Sequence, residues 1–125
     1  MSGALVELRR SYSFEAAHWL PRVPREHKCA RLHGHSYRVD VVVTGAVGEA
    51  SGWLMDFAAI DSVAEPLCEM LDHRCLNDLP GLENPTCENL AVHLWGLLER
   101  DLPGLTAVVV AETAGGSCTY RGQRS

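Results

Sequence analysis

No stretch of this chain approaches the roughly 20 consecutive apolar residues that a membrane-spanning helix needs. The opening residues, Met1 to Glu7, carry no basic segment followed by an apolar one, so no secretion leader and no membrane partner are expected. Positive charge is not in excess: 11 Lys and Arg stand against 16 Asp and Glu, for a net charge of −5. That withholds the basic face of a nucleic-acid-binding domain. Arginines do crowd the first third (Arg9, Arg10, Arg22, Arg25, Arg31, Arg38), which leaves room for a local anion site. Repeats, low-complexity tracts and evident linkers are missing too. The five cysteines are odd in number and irregularly spaced, unlike the even framework of a disulfide-stapled secreted domain. Reduced thiols in a cytoplasm are the simpler expectation.

What is present is ordinary for a soluble globular protein, with 46% apolar and 22% charged residues. A length of 125 residues suits one domain over residues 1–125 with a modest core. Even positions from Val6 to His18 form a mainly apolar face, predicting a first strand. Odd positions from His33 to Val43 (His33, His35, Tyr37, Val39, Val41, Val43) predict a second, with both histidines on the face of the valines. Gly45 to Gly52 reads as a loop. Asp56 then caps a helix with apolar Phe57, Ile60, Val63, Leu67 and Leu71, and Pro66 predicts a kink or two shorter helices. Leu79-Pro80-Gly81 is a turn. Asn84-Pro85-Thr86 starts a second helix, with a capping side chain and a proline suited to the first turn. Thr106 to Thr113 is a strand, and Gly115-Gly116 suits a hairpin into a last strand, Ser117 to Arg121. The order predicts an α+β layer: a four-stranded antiparallel sheet with two helices on one face. Its open edges predict association with further copies.

The chemistry concentrates in Cys29-Ala30-Arg31-Leu32-His33-Gly34-His35, with His18 upstream. Three imidazoles and a vacant fourth position are the arrangement of a catalytic zinc. Copper, iron and nickel suit imidazole as well, and three unrelated packing or surface histidines are the plain alternative. Lys28 and Arg31 favour the reactive thiolate at Cys29, whereas Cys68, Cys87 and Cys118 read as buried, inert thiols. Asp72-His73 is either a proton-transfer pair or a helix-end cation beside a surface acid. Glu112 shares the parity of Val108 and Val110, so its carboxylate needs a partner: a ligand with paired N–H donors or a protein arginine. Trp19, Trp53, Trp95 and Phe57 read as core or interface residues.

Read together, these residues resemble the 6-pyruvoyl-tetrahydropterin synthase family over nearly the whole chain. The resemblance runs through Phe14-Glu15-Ala16-Ala17-His18, His27-Lys28-Cys29, Leu32-His33-Gly34-His35, Asp56-Phe57, Leu71-Asp72-His73, Asn84-Pro85-Thr86 and Glu112-Thr113. It implies a tunnelling fold (T-fold) in which three subunits close a barrel, two trimers stack into a homo-hexamer and active sites lie between subunits. It implies Zn2+ on His18, His33 and His35, a catalytic thiol at Cys29, a proton relay at Asp72 and His73, and a pterin anchor at Glu112. The substrate-binding set expected with Glu112 is Thr86 and Lys28.

Only Ala30, Arg31 and Leu32 separate the cysteine from His-Gly-His, as in the branch that forms 6-carboxy-5,6,7,8-tetrahydropterin for queuosine precursors. Pyruvoyl-forming members typically have a longer segment there, and an aldolase-like branch replaces the cysteine with glutamate. Trp19 departs from relatives that carry arginine; if that arginine holds phosphate, Lys28 or another basic residue takes over. The implied reaction converts 7,8-dihydroneopterin triphosphate to the carboxy product, acetaldehyde and triphosphate, without nicotinamide or flavin. The alternatives are pyruvoyl-tetrahydropterin formation and a non-catalytic metal- or pterin-binding protein on the same fold.

Overall fold

The computed structural model describes residues 3–113 and 115–124. Met1 and Ser2, part of the segment read for a leader, and Ala114, beside the expected hairpin glycines, lie outside the described residues.

Alternating burial shapes β1 (Leu5–His18) and the start of β2 (His33–Ala46), whose residues Val39 to Val43 are buried on both faces. They pair antiparallel over their whole length, in a register that sets His18 opposite His33, Ala16 opposite His35 and Phe14 opposite Tyr37. Helix α1 (Phe57–Leu71) follows, with the Asp56 side chain accepting from the Ala58 amide at 2.9 Å, a cap contributing about 1 kcal/mol. Strand β3 (Arg74–Cys75), helix α2 (Cys87–Leu98), β4 (Leu105–Glu112) and β5 (Ser117–Tyr120) complete the chain. The sheet order is β3-β1-β2-β4-β5.

Among the described residues five strands therefore stand where four were expected. The addition is β3, whose two residues run parallel to Ala16 and Ala17 of β1. So short a strand leaves no periodic trace in the sequence. Pro66 does not divide the first helix: α1 runs through it as one helix. Pro66 and Ser62, whose carbonyl loses its bond there, are both exposed, so water can take that acceptor. At α2 the cap is Thr86, whose hydroxyl accepts from the Asn89 amide at 3.0 Å, and Pro85 lies before the cap rather than in the first turn.

One face of the sheet carries the core. Phe14, Tyr37, Val39, Val41, Val108 and Val110 pack there against Ile60, Ala64 and Leu71 of α1 and Leu90, Leu94 and Leu98 of α2. The α1 stripe is rotated from the expected one, since Phe57 is 44% exposed. Arg10 lies over its ring instead, 5.2 Å from the centroid. Trp53 and Trp19, at 54% and 40% exposure, are not core residues either, while Trp95 packs against the core. On the helix-free face, buried Asp40 is satisfied by Ser11 at 2.7 Å, Arg9 at 3.1 Å and Arg38 at 3.3 Å. Among the described residues no helix is long and apolar enough to cross a membrane.

Asp61 ties α1 to β1. It accepts from Arg10 at 2.8 and 2.9 Å and from the Tyr12 hydroxyl at 2.7 Å. Hydrogen bonds from Arg10, then from Tyr12, hold its carboxyl below the usual carboxylate range. A carboxyl acid-shifted by folding stabilises above its unfolded value, about pH 4, and loses that contribution as pH falls through the folded value. Asp61→Asn is therefore expected to lower the urea midpoint at pH 7, with the gap closing as the pH drops below about 4. A gap of constant size down to pH 2 would show that the carboxylate charge is not its source.

Candidate metal centre and active site

The β1–β2 register builds a cluster of three rings. Directly opposed residues of an antiparallel pair share a face, so His18 meets His33, and His35 follows two positions on. The ring centroids are 4.6 Å apart for His18 and His33, 5.1 Å for His18 and His35, and 4.9 Å for His33 and His35. One ligand atom from each ring lies within 4.8 Å of the others.

Each ring has its Nδ1 against an oxygen. His18 Nδ1 lies 2.8 Å from the Pro85 carbonyl and 3.2 Å from the Tyr37 hydroxyl. His33 Nδ1 lies 2.7 Å from the Arg31 carbonyl. His35 Nδ1 lies 3.2 Å from Thr113 Oγ1. A carbonyl can only accept, so Nδ1 is the protonated nitrogen in His18 and His33, and Nε2 stays free as a lone-pair donor. Ligand histidines are held in this way by an outer ring of oxygens. Burial keeps His18 below the usual imidazole pKa, favouring the neutral form that binds metal. The donor set, three imidazole nitrogens, fits a divalent cation.

Glu112 stands opposite Tyr37 on β4, and its carboxylate lies 3.5 Å from His35 Nε2. That contact is an ion pair only when the ring is protonated, and among the described residues no arginine meets the carboxylate.

Asp72 and His73 form a contact, with His73 Nδ1 2.9 Å from Asp72 Oδ2. The other Asp72 oxygen accepts from the Glu15 amide at 2.9 Å, and the His73 amide donates to the Glu15 carbonyl. The Glu15 amide, followed by the His73 imidazole, holds the Asp72 carboxyl below its ordinary range. Among the described residues His73 alone, apart from glycines, has a positive φ, at 57°. That left-handed backbone costs on the order of 1 kcal/mol or more, and it turns the chain from α1 into β3.

Cys29 sits in a tight turn, Lys28–Ala30, capped by His27, whose Nδ1 accepts from the Cys29 amide at 3.0 Å. The Cys29 carbonyl accepts from the Leu20 amide at 2.8 Å. Lys28 is exposed on the same turn. All five cysteines are free thiols. Burial pushes Cys68 up to about 11 and Cys87 up to about 12; Cys68 is buried as expected, whereas Cys87 and Cys118 are only partly so. The Thr86 hydroxyl accepts in the α2 cap and keeps its proton to donate.

The structure brings the three histidines together and, separately, the Asp72–His73 pair. No hydrogen bond or ion pair among the described residues joins Cys29 or that pair to the three rings. A cavity of about 590 Å³ is lined by His73, Arg74, Glu15, Ser36, His35 and Thr113, among others, and not by His18, His33, Cys29 or Glu112.

Sequence reasoning passed over several contacts. The Asn77 carboxamide clamps the residue after His18, accepting from the Trp19 amide at 3.0 Å and donating to its carbonyl at 2.7 Å. Glu15 accepts from the Ser36 hydroxyl at 2.6 Å. Tyr37 was within reach, since it continues the His33, His35 parity. Asn77 and Glu15 carried no such signal.

The sequence profile described as 6-pyruvoyl tetrahydropterin synthase matches residues 7–123. A Synechocystis sp. protein named 6-carboxy-5,6,7,8-tetrahydropterin synthase is 43% identical over 117 residues, covering 89% of each chain. A Pyrococcus furiosus protein named dihydroneopterin monophosphate aldolase is 36% identical over 92 residues, or 74% of each. In structure, the 6-pyruvoyl tetrahydropterin synthase of Caenorhabditis elegans superposes with a TM-score of 0.88 at 29% identity, covering 96% of this chain and 97% of that one. With its sheet, its two helices and its three converging histidines, this chain belongs to the 6-pyruvoyl tetrahydropterin synthase family.

Proposed function

We propose that this chain is a zinc-dependent carbon–carbon lyase of 7-deazaguanine and queuosine-precursor synthesis. With one water, it converts 7,8-dihydroneopterin triphosphate to 6-carboxy-5,6,7,8-tetrahydropterin, releasing acetaldehyde and triphosphate. The observation that carries the reading is the convergence of three imidazoles whose Nδ1 atoms are each held by an oxygen. The 43% identical Synechocystis relative supports the carboxy-forming branch.

His18, His33 and His35 hold the ion. Bound zinc supplies Lewis-acid polarisation of substrate oxygens. Glu112 has the acceptor geometry for the guanidine-like N–H edge of a pterin, as two oxygens can take two parallel N–H donors. Thr86 and Lys28 complete the substrate contacts, Lys28 toward the polyanionic tail. Cys29 moves one proton as thiolate. His73 moves another as acid or base, oriented by an Asp72 that stays ionised because the Glu15 amide bonds it.

Within one chain the cavity joins His35 to His73 but reaches neither Cys29 nor Glu112, Thr86 or Lys28. That supports a site completed between copies, in a homo-hexamer of two trimeric barrels of tunnelling fold. The edges agree: β3 covers β1 only at Ala16 and Ala17, and β5 pairs only with β4. The free thiols suit the cytoplasm.

The test is an assay of the zinc-loaded protein with 7,8-dihydroneopterin triphosphate, with products identified by mass. Acetaldehyde and triphosphate in equal amounts are expected. Triphosphate with a pyruvoyl product and no acetaldehyde would assign the pyruvoyl-forming reaction instead. An intact substrate would leave a binding protein.

A further inference from the structure

We propose that Thr113 is a positioning residue for the metal centre: its hydroxyl fixes His35 in the Nδ1–H tautomer, so that Nε2 is presented to the ion. The inference rests on reading the three histidines as a metal site.

The argument starts from the difference among the three rings. His18 and His33 have Nδ1 against main-chain carbonyls, those of Pro85 and Arg31, at 2.8 and 2.7 Å. A carbonyl accepts only, so each tautomer is dictated by backbone. For His35 the partner is the Thr113 side chain, at 3.2 Å. His35 also has a rival acceptor on its other nitrogen, since Glu112 Oε2 lies 3.5 Å from Nε2. A carboxylate draws an N–H more strongly than a hydroxyl does. Left to that competition, the proton moves to Nε2 and blocks the ligand atom. The Thr113 hydroxyl has to be committed as an acceptor toward His35 to oppose this.

Its surroundings provide that commitment. The Thr113 amide donates to the Ser36 carbonyl at 3.0 Å, which holds the residue across from β2. The Ser36 amide points at the same Oγ1 at 3.3 Å. Two donors, one from the ring and one from the backbone, therefore converge on one oxygen, and its own proton is turned elsewhere. Thr113 thus makes the side-chain contact that holds Nδ1 of this ligand.

The experiment compares Thr113→Val and Thr113→Ser with the parent. Valine keeps the β-branched shape and the backbone bond but lacks the acceptor; serine keeps the acceptor. The first readout is the His35 tautomer, by nitrogen NMR of the metal-free protein above the imidazole pKa. The second is zinc affinity, by competition with a chromophoric chelator. Parent and Thr113→Ser are expected to show the Nδ1–H form. Thr113→Val is expected to shift toward Nε2–H and to bind zinc roughly 10–100-fold more weakly, the usual loss for an outer-ring partner. The thermal midpoint of each apoprotein checks that folding is intact. An unchanged His35 tautomer in Thr113→Val, or a serine variant shifted as far as valine, overturns the proposal. A parent that binds no zinc would sink the metal reading by itself, and the tautomer, measured without metal, would still decide the role of Thr113.

Discussion

Cys29→Ala is expected to keep zinc at one ion per chain and to lose turnover by roughly 10²–10⁴-fold, the usual contribution of a positioned acid or base. That loss corresponds to about 3–5 kcal/mol of barrier. The metal is expected to stay because, among the described residues, the converging ligand atoms come from His18, His33 and His35. The fold is expected to stay because Cys29 is tied to its surroundings through backbone: its amide donates to His27 and its carbonyl accepts from Leu20. Both bonds survive alanine. Zinc by elemental analysis and turnover on dihydroneopterin triphosphate measure the two halves independently. Loss of zinc together with activity would make Cys29 a fourth ligand. Unchanged turnover would remove it from the mechanism.

The same variant tests whether the site is shared. His73→Ala is expected to be similarly impaired, since His73 is 79% exposed in the single chain and lies on a cavity that Cys29 does not line. If each site takes its thiol from one copy and its imidazole from another, unfolding and refolding the two variants together rebuilds intact sites. Random assortment restores about a quarter of them. A mixture no more active than either variant alone would put both groups in one chain.

Much of this site was legible before the fold. The His33 and His35 spacing fixed their shared face, because a strand alternates with period two whatever surrounds it. Glu112 announced itself as a carboxylate in apolar parity, and Asp72 and His73 are neighbours in the chain. What the chain hides is register. His18 and His33 end and begin strands joined by a long connection, Trp19 to Leu32, and no turn rule sets the pairing across such a loop. A one-residue slip would put His18 on the opposite face. Thr113 is hidden for a related reason: it contacts His35 beyond the end of β4, where alternation no longer predicts direction. The rotated stripe of α1 is a matter of weighting, since Ala64 and Cys68 are buried where larger, partly exposed Phe57 drew the periodicity. Asn77 escapes because a carboxamide clamping loop backbone has no period at all.

The second large effect concerns the ion itself. His33→Ala and His35→Ala are each expected to weaken zinc binding by roughly a hundredfold or more, read by competition with a chromophoric chelator. A structural zinc held by four ligands is worth roughly 10–16 kcal/mol, so an equal share is about 3 kcal/mol per ligand, more than a hundredfold in affinity. These two are the informative positions, because both rings are only half-buried and their Nδ1 partners, the Arg31 carbonyl and the Thr113 hydroxyl, are within reach of water when the ring goes. His18 is a poorer choice. It is 3% exposed, and its removal strands the Pro85 carbonyl and the Tyr37 hydroxyl in the core, mixing lost metal with lost stability. Thermal unfolding separates the two effects. Zinc at a hundredfold excess over its Kd stabilises the parent by about 2.7 kcal/mol, and this increment is expected to vanish in both variants while the metal-free midpoints stay near that of the parent. Unchanged zinc affinity in both would mean that the ion lies elsewhere. Unchanged affinity in only one would leave that histidine as a neighbour of the centre rather than a ligand, and the vacancy for substrate would then have to be counted from two imidazoles instead of three.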